Sequence, residues 1–295
     1  SQPLAETKKF EWQNIDNSFL PSAFTLGVIE TSVVLGLLNL LFLSFVIVQV
    51  PYLFGGMELV QNTPDFKLAE YARRGFGELV AVTALVLPIL LAGHWLLRNE
   101  NPLNLKIYRI LAGIQIVLLF VIMASATQRL LLLTGNLGYG LTTVRFYPMV
   151  VMIWFAIVFI WFGLTVLRGS RQYFAWGALW SALFVLIGGH VINPDEFIVK
   201  TNIRLMNEGR VFDSGYNSRL SNDAIPTLVE SLGSMNATDQ CITKYELKER
   251  LDDARSKSDL RAFSLSRSVA RKYLESVEPL LDTAGCPERP YRIFD

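Results

Sequence analysis

Five long apolar runs dominate this chain, at roughly 24–50, 75–97, 107–133, 146–167 and 173–192. Each is long enough to cross the ~30 Å hydrocarbon core as a helix, which takes about 20 residues. Backbone groups inside a bilayer must be paired within the segment, so runs of this length predict helices. The fold class expected is all-α: a polytopic membrane bundle of five spans with a small helical soluble domain at the C-terminus. Chain reversal after each span fixes which ends share a side. One face, called B, then receives Glu70, Arg73, Arg74, Glu78, Arg129, Arg145 and Asp195.

The overall figures, 52% hydrophobic, 18% charged and a mean hydropathy of +0.36, average over two different polymers. Residues 24–192 carry few charges and are read as the five-span domain, whereas 193–295 have the composition of a water-soluble module. Residues 1–23 are read as an interfacial lead-in, with Phe10, Trp12 and Phe19 beside Lys8 and Lys9. No signal peptide is expected, because this segment is polar and the first apolar run exceeds a signal h-region. A net charge of +1 provides no basic stripe, which excludes a nucleic-acid partner.

Orientation follows the distribution of Lys and Arg near the spans. Face A carries Lys8, Lys9, Arg98, Lys106, Arg109, Arg168 and Arg171; face B carries Lys67, Arg73, Arg74, Arg129 and Arg145. Four of the five on face B sit in or against apolar helices and read as site residues rather than loop anchors. With those discounted, the N-terminus is expected in the cytoplasm and the C-terminal module outside, although Lys200 and Arg204 pull the other way. Both cysteines, Cys241 and Cys286, fall in that module; an outside location permits a disulfide, and two unpaired thiols are the alternative. Asn236-Ala237-Thr238 fits a glycosylation acceptor, a three-residue pattern common by chance.

Along the chain, span 1 contains Glu30, Asn39 and Gln49, and Pro51 fits its end. Span 2 is preceded by a helical stretch with Glu70, Arg74 and Glu78 on one stripe. Pro88 falls inside that span. Span 3 ends in Ser125 to Arg129, and a glycine-punctuated loop, 135–145, feeds span 4. In the module, helices are expected over Ile198–Asn207, over roughly 223–232 with Ser221-Asn222 as cap and Gly233 as stop, over Tyr245–Arg255 and over Ser266–Leu281.

Three strings carry a resemblance. They are Ala69 to Phe76 followed by Glu78-Leu79-Val80, Ser125-Ala126 with Arg129, and Tyr139-Gly140-Leu141-Thr142 with Arg145. Asn193-Pro194-Asp195 leading to Asn202 adds a fourth. Over roughly residues 50–230 the chain resembles the bacterial polytopic membrane family called domain of unknown function 4173, whose sister family is numbered 4153. The resemblance implies a multi-pass protein of the bacterial inner membrane and a shared set of polar positions. It implies no activity.

Charges at membrane depth cost about 2.5–3.5 kcal/mol each even on lenient scales, so they face a partner or a wet cavity. Glu70, Arg73, Arg74, Glu78, Arg129, Tyr139 and Arg145 are therefore read together, with two alternatives. They form a cationic pocket for the anionic headgroup of membrane lipids or for an anionic substrate, or they pair with one another and staple spans 2, 3 and 4. His94 and His190, the only histidines, belong near opposite faces, roughly 20 Å or more apart. Neither a metal nor another cofactor is expected. Ser125 has no histidine but His190 to activate it, and the glycines Gly135, Gly138 and Gly140 lack the lysine of a phosphate loop. No catalytic residue is assigned. The preferred reading is a non-enzymatic receptor, scaffold or complex subunit that meets a protein partner through 193–295. A transporter or lipid-handling protein is the alternative, ahead of a membrane enzyme using Glu70 or Glu78 as base.

Overall fold

The computed structural model describes residues 27–54, 68–97, 102–134, 140–256 and 265–287. The lead-in 1–23, Lys67 and Tyr139 lie outside the described residues. Five helices are long and apolar enough to cross a membrane. They are α1 (Val28–Phe54), α2 (Leu68–Leu96), α3 (Pro102–Thr134), α4 (Thr143–Thr165) and α5 (Phe174–Ile192). Then follow α6 (Pro194–Asn207), α7 (Ser214–Asn217), α8 (Ile225–Ser231), α9 (Ala237–Ser256) and α10 (Leu265–Ser276), with short 3-10 turns between. No strand occurs among the described residues. The protein is an all-α, multi-pass membrane protein.

Several boundaries differ from the reading of the sequence: α9 begins at Ala237 rather than Tyr245, α10 stops at Ser276 short of Leu281, and two more differ for a local reason. Helix α1 runs past Pro51 to Phe54. A proline so near a C-terminus removes one hydrogen bond, and a last turn tolerates that more readily than an interior one. Ser221 makes no side-chain cap; it precedes a 3-10 turn, Asn222–Ala224, and α8 starts only at Ile225. Pro226 in the first turn of α8 has no N–H to be capped, and the backbone N–H of Ser221 donates to Asp195 Oδ2 at 2.9 Å.

The chain divides into two compact units. The first is residues 1–129 with 151–184; the second is 130–150 with 185–295. Within the first, α3 is the central helix and α5 the peripheral one. In their apolar windows 44% of residues are buried in α3 and none in α5. Leu90, Tyr108, Ala112, Leu119, Val158, Phe159, Phe162 and Val166 form the fully buried centre. Hydrogen bonds set the register of the helices: Asn39 Nδ2 donates to the Leu111 carbonyl at 3.0 Å, and Tyr108 Oη to the Leu90 carbonyl at 2.6 Å. Gln115, one turn beyond Leu111, makes no such bond; its amide oxygen and nitrogen are both buried without a partner. Helix α5 rests on α4 through Trp154 Nε1, which donates to Ser181 Oγ at 3.2 Å. Trp161 packs against Gly177, where an added Cβ would stand 2.1 Å from its Nε1.

The second unit packs α6–α10 around Ile198, Ala224, Ile225, Leu228, Leu247, Leu251 and Leu274. Its core also takes in Leu141 and Phe146 from the connection between α3 and α4 and the first turn of α4. The Cys241–Cys286 disulfide ties α9 to the segment after α10.

Candidate functional site

The cluster read from the sequence is distributed as follows. Glu70, Arg73, Arg74 and Glu78 sit on the opening turns of α2, and Arg129 lies near the end of α3. Their side chains fall outside the described residues, as Tyr139 does entirely. Arg145, in the first turn of α4, is described, and its guanidinium donates from Nη1 to the Gly140 carbonyl. That member of the cluster closes its own loop.

Around Arg145 the second unit builds a polar anchor. Gly140 has φ +68°, a left-handed conformation that glycine enters without strain. Its bare Cα lets the Asn202 carboxamide approach, since a Cβ at this position would lie 2.9 Å from Asn202 Oδ1. Asn202, on α6, then treats Leu141 as a strand would treat its neighbour. Its Oδ1 accepts from the Leu141 N–H at 2.6 Å, and its Nδ2 donates to the Leu141 carbonyl at 2.9 Å. The remaining amide hydrogen goes to Asn217 Oδ1 at 2.8 Å, and Asn217 in turn donates to the Asp213 carbonyl. Asn202, Asn217 and Leu141 are all buried, so each of these groups has exchanged water for a protein partner.

Tyr216 completes the anchor. Its hydroxyl accepts from the Thr143 N–H at 2.7 Å, capping one of the free amides at the start of α4. Asp213 caps the short helix that carries Tyr216, its carboxylate accepting the Tyr216 N–H at 2.8 Å. The chain reaches α6 from α5 through Asn193, which is left-handed at φ 50°, followed by Pro194 in the first turn. Asn and Pro suit those two positions respectively.

A groove of about 470 Å³ opens in the same unit between α9 and α10. Its charged lining is of both signs, mostly acidic on α9 (Glu246, Glu249 and Asp253 beside Arg250) and basic on α10 (Arg267 and Arg271). Burial pushes the Arg250 guanidinium down from its ordinary range, opposed by the charges of Glu246 and Asp195. The Leu220 carbonyl accepts from its Nη2. The outer edge is laced by Arg255, paired bidentately with Glu278 at 2.7 and 2.9 Å, and by Arg271 with Glu275 at 2.8 Å. These arginines hold the Glu275 and Glu278 carboxyls below the usual carboxylate range, through hydrogen bonds first and charge second. Among the described residues no three His, Cys, Asp or Glu side chains converge as a metal-ligand set.

The anchor joins the polar strings singled out in the sequence: Gly140, Leu141 and Arg145 from one, Asn202 from another. Sequence reasoning placed Asn202 at the exit of span 5 and assigned it no partner. Tyr216, Asn217 and the groove were missed. The Asp213-Ser214-Gly215 start of α7 was the one local signal for Tyr216. Nothing in spacing alone could pair residues 61 to 73 positions apart.

No curated protein and no solved structure matches the chain. A family model does, over residues 6–231. The matching family is the sister of the one the motifs resemble, and family 4173 itself is not shown by this match. The chain belongs to the family of domain of unknown function 4153 (DUF4153).

Proposed function

We propose that this chain is a non-enzymatic receptor, scaffold or complex subunit of the bacterial inner membrane, whose helical module docks a protein partner. The observation that carries the reading is the anchor. Asn202 and Tyr216 bond the module to the loop entering α4, so the module is fixed to a span end rather than tethered to it. The groove between α9 and α10 is the natural docking place, because a lining with charges of both signs suits a charged polypeptide segment better than a lipid tail. The N-terminus lies in the cytoplasm and the module outside in this reading. The Cys241–Cys286 bridge supports that orientation, since disulfides persist in oxidising compartments.

The anionic-headgroup reading of Arg73, Arg74, Arg129 and Arg145 stands second, because the Arg145 guanidinium is engaged by the Gly140 carbonyl. Native mass spectrometry of the full chain, drawn from its own membrane into nanodiscs, separates the two. The proposal expects a second polypeptide at fixed stoichiometry, released when Arg267 is changed to Glu. A chain carrying phospholipid alone, or one that moves an anionic solute across proteoliposomes, would overturn it.

A further inference from the structure

We propose that a phosphate-bearing anion binds the first compact unit at the end where α2 stops and α3 and α5 begin, held by Arg109, Arg171 and the ring of His94. This place is separate from the arginines discussed above. His94 lies in the last turn of α2, Arg109 in the early turns of α3, and Arg171 opens the 3-10 turn Arg171–Tyr173 before α5.

Two nitrogen atoms here are buried with no hydrogen-bond partner, His94 Nδ1 and Arg109 Nε. Arg109 and Arg171 both lie within electrostatic reach of the His94 ring. No carboxylate among the described residues pairs with either arginine. Arg109 is half-buried, and its buried Nε–H without an acceptor is costly until a guest supplies one.

The surroundings hold these groups in place. Tyr108, next to Arg109, is pinned to the Leu90 carbonyl, and its ring meets the His94 ring edge-on at 5.4 Å between centroids. The α4–α5 connection closes over the guanidinium, since a Cβ on Gly169 would stand 3.6 Å from Arg109 Nη2. A guest must therefore be anionic and offer several acceptors to donors from three different elements. A tetrahedral phosphate does this, and guanidinium forks match its oxygens. The N-terminal ends of α3 and α5 add favourable dipoles. Leu103, Ile110, Tyr173 and Trp176 are exposed beside the site, an apolar and aromatic flank fit for acyl chains. A lipid headgroup and a free phosphate share the chemistry.

The test uses the full chain in phosphatidylcholine nanodiscs, with phosphatidylglycerol retention read by native mass spectrometry. Wild type is expected to retain phosphatidylglycerol over phosphatidylcholine, and Arg109→Gln with Arg171→Gln to weaken that preference about tenfold or more. Arg204→Gln, in the other unit, should leave it unchanged. Millimolar inorganic phosphate that displaces the lipid, or that raises the melting temperature of wild type only, assigns the site to free phosphate; no displacement assigns it to the headgroup. Should the double variant fail to fold, exposed Arg171→Gln alone carries the test through the same readout. Equal retention of the two lipids by wild type with no phosphate effect overturns the proposal. So does unchanged preference in a variant whose circular dichroism and melting match wild type.

Discussion

Asn202 uses its amide oxygen and both amide hydrogens inside the second unit, and two of those bonds satisfy a single buried residue, Leu141. Asn202→Ala strands the Leu141 N–H and C=O together. At roughly 1–3 kcal/mol for each buried unpaired group, the expected loss is about 2–6 kcal/mol, read as a lowered melting temperature in detergent. Gly140→Ala should cost about 1–3 kcal/mol by the same measurement, because alanine resists φ +68° and its Cβ meets an oxygen that cannot retreat from its bond to Leu141. Gln115 presents the opposite case. Its amide is buried and unpaired in the interior of the first unit, so Gln115→Leu should raise the melting temperature, by about 1–3 kcal/mol of stability. Such facts are not legible in sequence. Asn39 and Gln115 are both amides inside apolar spans, yet only Asn39 stands opposite a carbonyl.

At the scale of elements, the apolar runs announced all five spans, because a bilayer leaves no alternative to the helix for so long a stretch. Helix ends were less legible: a proline or serine has several compatible places in a terminus, and the bond from the Ser221 N–H to Asp195 joins residues 26 positions apart. Helix α5, with none of its window buried, depends on few contacts, and the indole of Trp161 against Gly177 is one that leaves no room for a Cβ. Gly177→Ala should therefore loosen α5 from α4, which tryptophan fluorescence and the rate of proteolysis would report. Between α9 and α10 the Arg255–Glu278 and Arg271–Glu275 pairs predict a pH dependence. Their carboxyls are held below the ordinary glutamate range, so their contribution is whole above that range and is lost as pH falls through the lowered values. Melting of the module between neutral and acid pH should show that decline, and glutamine at both positions should remove it. The bridge from Cys241 to Cys286 spans 45 positions, and closing such a loop is worth about 2–4 kcal/mol, measurable as the fall in melting temperature on reduction.

For the whole molecule, hydropathy divides the chain once, at about residue 192, while compactness divides it into 130–150 with 185–295 and the remainder. The difference comes from residues that are apolar enough to read as membrane yet pack in the second unit, Leu141 and Phe146 among them. Hydropathy records what a residue avoids and says nothing of which neighbour it meets. The central claim is that the connection into α4 is a structural part of the C-terminal module. Hydrogen–deuterium exchange of peptides covering 140–145, on the full chain in nanodiscs, tests it most directly. The Leu141 and Thr143 amides should be protected as well as those of α9, and Asn202→Ala should release the Leu141 amide while α9 stays protected. Exchange of both amides at the rate of an open loop in the unaltered protein would contradict the account.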